Sequence, residues 1–254
     1  MDAVMPGRGD GVLFGGGDAP IRVMVARAPN GCEERVDCQP GRDPAFSGIV
    51  GVREEVLVPF RGHATASTVP VATRFRSTWL SSSIRALRER NLLDAYLAHL
   101  PSAYHDSVLN SVVGVWLPTE VAVAHYEACD HLGLPTRDLL AIGSEVALHA
   151  QGTVFSVGVN LAKSAGVTPW SVLPRLPDIW YRVWIGGGVQ LSKLGPKDAR
   201  LHIVGWSCAR TTYCRVAMRG VLHGLTALFC ESSYVKEETP LCTGTTLGYR
   251  VAWA

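Results

Sequence analysis

Three groups of side chains in this 254-residue sequence have the types and spacing to do chemistry. His125 and Cys129 stand four residues apart, which puts them on one face of a helix, and His131 follows closely. Such donors begin a zinc site, but a metal needs three or four converging ligands and no second cluster accompanies them. They therefore read as a core histidine and a core cysteine. His202 falls on a strand pattern and His223 on a helix pattern, so the two face each other if that helix lies on that strand's sheet. Either could ligate iron or hydrogen-bond a ligand, although structural histidines share the same pattern. The third group is aromatic: Trp170, Trp180, Tyr181 and Trp184 crowd one segment. Aromatic side chains fill cores, line apolar pockets and form partner surfaces. The candidate ligand-binding set is thus Trp170, Trp180, Trp184, His202 and His223.

No catalytic constellation accompanies them. The sequence lacks G-x-S-x-G, H-E-x-x-H, a Walker loop and G-x-G-x-x-G. The glycines from Gly11 to Gly17 lack the Lys-Ser/Thr pair of a phosphate loop, and Arg8-Gly9-Asp10 reads as a chance tripeptide. The expectation is a non-enzyme with no catalytic residue, no metal site and no cofactor, haem on the two histidines being the alternative. Seven cysteines, an odd number with no C-x-x-C pair, read as reduced, buried small hydrophobes.

The elements that must position these groups begin late. Residues 1–73 are dense in Gly and Pro and hold no lasting period, so they read as a largely disordered or irregular leader, with short strand candidates at Ile21–Ala26 and Val56–Phe60. From Phe75 the pattern turns helical. Trp79, Leu80, Ile84 and Leu87 recur at helix spacing, Leu92–Leu100 gives a second helix, and Pro101 starts a third running to about Val113. Pro118 opens a fourth, stopped at Gly133. Residues 74–134 thus form a helical subdomain. Pro135 starts a longer helix, Thr136 to about Ala165, with a bend expected near Gly152. Thr168-Pro169 caps the aromatic segment, where Pro174 and Pro177 must break or kink a helix.

The last stretch alternates. Val189–Leu194 and Ala199–Gly205 form a hairpin around Gly195-Pro196-Lys197-Asp198. Tyr213–Phe229 is an amphipathic helix, and Tyr234–Glu238 and Leu247–Trp253 are strands. The fold class is α+β: a helical N-terminal half packed on a C-terminal four-stranded antiparallel sheet with a crossing helix, residues 135–254 forming a ligand-binding-like domain.

Composition sets outer bounds. Apolar residues make up 47% and charged residues 18%, enough for a sizeable core. A net charge of +2 argues against a nucleic-acid binder. No apolar run reaches the roughly 18 residues of a spanning helix, and the N-terminus has no secretory signal pattern, so a cytoplasmic protein is expected.

The C-terminal third carries a resemblance. Arg219-Gly220-Val221-Leu222-His223-Gly224-Leu225, then Val235-Lys236-Glu237-Glu238, Cys242-Thr243-Gly244 and Tyr249-Arg250-Val251-Ala252-Trp253 resemble the tail of the four-vinyl-reductase-type domain. Members often carry a second cysteine after the turn, and here Leu247, Gly248 and Tyr249 occupy that region, which tells against a cysteine-pair metal or redox role. The wider superfamily includes haem-dependent nitric-oxide sensors and TRAPP-type vesicle-transport subunits. The Gly195-Pro196-Lys197 hairpin and the chain's end are also similar to bacterial, myxobacterial paralogues. The resemblance covers about residues 136–254 and implies fold more firmly than function.

Three functions follow as expectations. The first is a non-enzymatic sensory or regulatory domain that binds a small apolar ligand between the sheet and residues 136–184. The second is a protein–protein adaptor, a homodimer joined through the Gly220–Gly224 face. The third is a tetrapyrrole- or haem-related enzyme or sensor.

Overall fold

The computed structural model describes residues 54–149 and 167–254, all within one unit spanning Val50–Ala254. The expected leader up to residue 53, the strand candidate Ile21–Ala26, Cys32, Cys38 and the bend near Gly152 lie outside the described residues.

The architecture is α+β. A five-stranded antiparallel sheet has the order β1-β5-β6-β8-β7, from β1 (Glu55–Val58), β5 (Gly188–Gly195), β6 (Asp198–Val204), β8 (Leu247–Trp253) and β7 (Ser233–Glu237). The four expected strands are present, and β1, which overlaps the strand candidate Val56–Phe60, adds a fifth. It pairs with β5, Glu55 opposite Lys193, and its register slips between Val56 and Val58. An edge strand this short and exposed buries no continuous face, so it leaves no alternation in the sequence.

Period-two patterning sets which face is buried. Ala199, Leu201 and Ile203 of β6 and Leu247, Tyr249 and Val251 of β8 are all buried and paired in register, Leu201 with Tyr249 and Ala199 with Val251. Helix α7 (Thr212–Ala227) crosses this sheet, and the buried Tyr249 hydroxyl donates to the Arg215 carbonyl of α7 at 2.9 Å.

The N-terminal helices are α1 (Ser77–Glu89), α2 (Leu93–His99), α3 (His105–Leu109), α4 (Thr119–Asp130) and α5 (Thr136–His149). Helix α3 is shorter than Pro101 suggests: a 3-10 turn over Ser102–Tyr104 precedes it, and the chain leaves helix after Leu109 to turn through Gly114 at φ +88°. A second sheet, β3-β2-β4, joins Trp116–Pro118, Arg74–Arg76 and Trp184–Ile185. Its strands are too short to show a period. They tie the start of α1 to the end of α6 (Leu176–Val183), through Phe75 opposite Trp184.

Helix α4 reaches α7 through a long-range cap. Asp130, the last residue of α4, accepts hydrogen bonds from the Thr212 and Tyr213 amides, the first at 2.9 Å. A carboxylate there satisfies two of the orphan amides of a helix start and favours its dipole. Helices α5 and α7 pack closely: Gly220 lies against the Leu140 carbonyl and Gly224 against Ser144. The Gly220–Gly224 face, expected to join two copies, is therefore covered by α5 of the same chain.

Candidate functional site

Between the helical half and the large sheet lies an aromatic layer. Pro177 near the start of α6 begins a helix short enough for its end to turn into β4, and this carries Trp180 and Trp184 inward. The two indoles stack at 5.5 Å. Trp206 meets both edge-on, at 5.4 Å from Trp180 and 5.6 Å from Trp184. Phe75 stacks on Trp184 from the other side at 5.4 Å. Each such pair adds about 0.5–1.5 kcal/mol beyond burial. Trp206 gets there because Gly205, at φ +68°, turns the chain out of β6, a conformation a side chain would strain. Trp206 and Phe75 were not singled out from the sequence. Trp206 stands alone after the strand and Phe75 in a three-residue one, so neither belongs to a run.

The other nominated residues lie apart from this layer. Trp170 is half-buried, donates its Nε1–H to the Pro196 carbonyl and meets Trp253 edge-on at 5.0 Å, beside the β5–β6 hairpin. His202 is half-buried against the Phe60 ring at 5.8 Å, and burial followed by the charge of Arg200 holds its pKa below the usual value. His223 is exposed on α7, its Nδ1 3.2 Å from the Ser233 hydroxyl. The structure thus brings Trp180 and Trp184 together and separates them from Trp170 and His223.

A buried polar triad lies on the helical side. His125 is 2.8 Å from the Tyr96 hydroxyl through Nδ1 and 2.9 Å from the Ser83 hydroxyl through Nε2. Burial pushes its pKa down to about 3, so the ring is neutral at physiological pH. Cys129 is 3.8 Å away, and burial raises its thiol pKa well above the usual value. His131 stacks instead on His99 at 4.9 Å. Among the described residues no group of three His, Cys, Asp or Glu converges as a metal site.

Next to the triad runs a narrow cavity of about 20 Å³, bordered by Trp79, Ser83, Tyr126, Trp206, Tyr213 and Met218 among others. Two larger surface clefts are lined by polar and charged residues: one of about 370 Å³ beside Arg85 and Glu145, one of about 420 Å³ beside Arg200 and Glu238. Neither has a histidine, cysteine or methionine in its wall. Among the described residues no helix is long and apolar enough to cross a membrane.

This arrangement is the H-NOX fold, as comparison with solved structures shows. The chain is similar to the Fe(II) unliganded H-NOX protein of K. algicida, with a TM-score of 0.51 and 8% identity over 70% of this chain and 96% of that one. A point variant of that protein gives the same values. An H-NOX protein studied for haem distortion gives a TM-score of 0.49 and 12% identity over 70% of this chain and 94% of that one. No family model matches the chain, and no curated protein does. Of the resemblances drawn from the sequence, the fold of the haem-nitric-oxide branch is the one the K. algicida structure supports, and the myxobacterial likeness is not supported.

One expectation is overturned. The sequence led to no cofactor, yet the K. algicida protein that shares the fold is an Fe(II) H-NOX protein, so the comparison points to haem rather than to none. Catalytic motifs and cysteine spacing, on which the expectation rested, carry no information about a group held mainly by apolar contact. As packed, the described residues do not fit a haem: the cavity among α1, α4, α5 and α7 holds about 20 Å³, and both ring nitrogens of His125 already have hydroxyl partners.

Proposed function

We propose that the chain is a non-enzymatic sensory domain whose ligand is small, planar and apolar, bound in the layer between the N-terminal helices and the C-terminal sheet. The observation that carries this reading is the Trp180–Trp184–Trp206 cluster on Phe75. It fills the layer with four flat rings in place of branched aliphatic side chains. Flat rings can part and restack on a flat guest with little loss of contact, because stacking is not specific to one partner. Parting them displaces α6, β4 and β2, since Trp180, Trp184 and Phe75 sit on those segments. Ligand occupancy and the packing of the two halves are then one equilibrium, which is what a sensor requires.

Porphyrins are the first ligand class to test, because the K. algicida protein with this fold is an Fe(II) H-NOX protein. The Cys129, Cys208, Cys214 and Cys242 thiols are reduced, in keeping with a reducing, cytoplasmic compartment. Titration of the purified chain with haemin and, separately, with metal-free protoporphyrin IX tests the reading. Saturable binding of both supports an aromatic-layer site. Binding of neither overturns it.

A further inference from the structure

The small sheet β3-β2-β4 turns its outer face to solvent. Cross-strand partners share a face, so Pro118 and Ile185 flank Arg74 there, and Trp116 lies beside Arg76. Pro118, Arg74 and Ile185 are exposed, and the Arg76 guanidinium lies over the Trp116 ring at 4.3 Å. Just before β3, the turn through Gly114 leaves Val112 72%, Val113 68% and Val115 39% exposed. The fully buried Ser77 braces this turn. Its hydroxyl donates to the Val112 carbonyl at 2.7 Å and accepts from the Gly114 and Val115 amides at 2.8 and 3.2 Å. Its own amide donates to the Val115 carbonyl at 2.9 Å, and Arg76 Nη1 donates to the Gly114 carbonyl. In the turn 112–115 and the three strands, only Arg74 and Arg76 are charged, and the first acid beyond β3 is Glu120 in α4.

We propose that this face is a docking surface for an anionic lipid bilayer, the valine turn entering the acyl region while Arg74 and Arg76 meet the headgroups. Backbone chemistry separates a bilayer from other occupants. A solvent-facing turn ordinarily gives its N–H and C=O groups to water, and each one taken unpaired into hydrocarbon is strongly unfavourable. Here Ser77 and Arg76 supply those partners from within the chain, so the turn can leave water with its valine side chains foremost. Trp116 suits the level between headgroups and acyl chains, where an amphipathic ring is favoured. Two cations without a carboxylate among them match a negative leaflet, each raising affinity about fivefold. The site is independent of the porphyrin reading, since Phe75 and Trp184 lie on the opposite, buried face of the same strands.

The test is co-sedimentation of the intact chain with vesicles of phosphatidylcholine alone and of phosphatidylcholine mixed with phosphatidylserine. The proposal expects binding to the serine-containing vesicles that weakens about fivefold in Arg74→Gln and further in Val112→Ser/Val113→Ser. Tyr234→Ser, which alters an exposed apolar side chain on β7 of the other sheet, should leave that binding unchanged. All four side chains are exposed, so each variant keeps the melting temperature of the parent. Binding that Tyr234→Ser weakens equally, or that ignores the arginine and valine changes, overturns the proposal, as does binding to neither vesicle. Sedimentation equilibrium without lipid separates the competing occupant. A dimer that Val112→Ser/Val113→Ser dissociates, with no vesicle binding, assigns the face to a second copy and overturns the bilayer.

Discussion

Gly143 of α5 and Gly220 of α7 meet backbone to backbone: a Cβ on Gly143 would stand 3.0 Å from the Gly220 Cα and 1.9 Å from the Ala217 carbonyl oxygen. The reverse holds too, with a Cβ on Gly220 falling 2.2 Å from the Leu140 carbonyl oxygen. Both clashes are with backbone, which cannot rotate away. Gly220→Ala and Gly143→Ala should therefore each destabilise the chain by about 1–3 kcal/mol or more, as overpacking does. Gly224 is different. Its nearest neighbour would be the Ser144 Cα at 3.1 Å, a tight contact that small shifts relieve. There the gain of about 1 kcal/mol in helix propensity offsets most of the strain. Denaturant midpoints of the three variants should rank Gly224→Ala closest to the parent. Equal losses at Gly220 and Gly224 would contradict the close crossing.

Acid should weaken the fold through His125. Its folded pKa of about 3 lies below the unfolded value of 6.5, so the unfolded chain takes up the proton first as pH falls. The stability this group contributes is whole above pH 6.5 and is lost progressively toward pH 3. At 1.36 kcal/mol per pH unit, the loss at pH 5 is about 2 kcal/mol. The difference in unfolding free energy between pH 7.5 and pH 5 should shrink by that amount in His125→Gln, which does not titrate. An equal pH dependence in parent and variant would show that His125 titrates normally.

The long-range cap predicts a graded effect. Asp130→Ala removes the acceptor for both amides at the start of α7 and should cost about 1 kcal/mol, within the range of lost caps. Asp130→Asn keeps an acceptor without the charge and should cost less. Urea denaturation of the two variants measures this, and identical losses would mean that the charge contributes everything.

Much of this fold is legible in the sequence, for physical reasons that also mark where legibility stops. Leu201, Ile203, Leu247, Tyr249 and Val251 alternate because one face of β6 and β8 is buried, and Pro118 and Pro135 stand just before α4 and α5. Strands β2, β3 and β4 are two or three residues long and form no pattern. The spacing of Gly220 and Gly224 is equally apt for a helix of the same chain or of another copy, and only the fold shows that α5 occupies it. Trp180 and Trp184 are evident as an aromatic segment, whereas their partner Trp206 comes from beyond the β5–β6 hairpin, a contact no local pattern encodes. Any ligand is the least legible feature, since an apolar cleft and an apolar core are written in the same residue types.

The central claim is that the indole layer opens to a flat apolar guest. Tryptophan fluorescence during protoporphyrin IX titration tests it most directly, because Trp180, Trp184 and Trp206 are both the wall and the probe. The account predicts saturable quenching at one porphyrin per chain, with a weakened transition in Trp184→Phe. Linear, unsaturable quenching that Trp184→Phe leaves unchanged would contradict it.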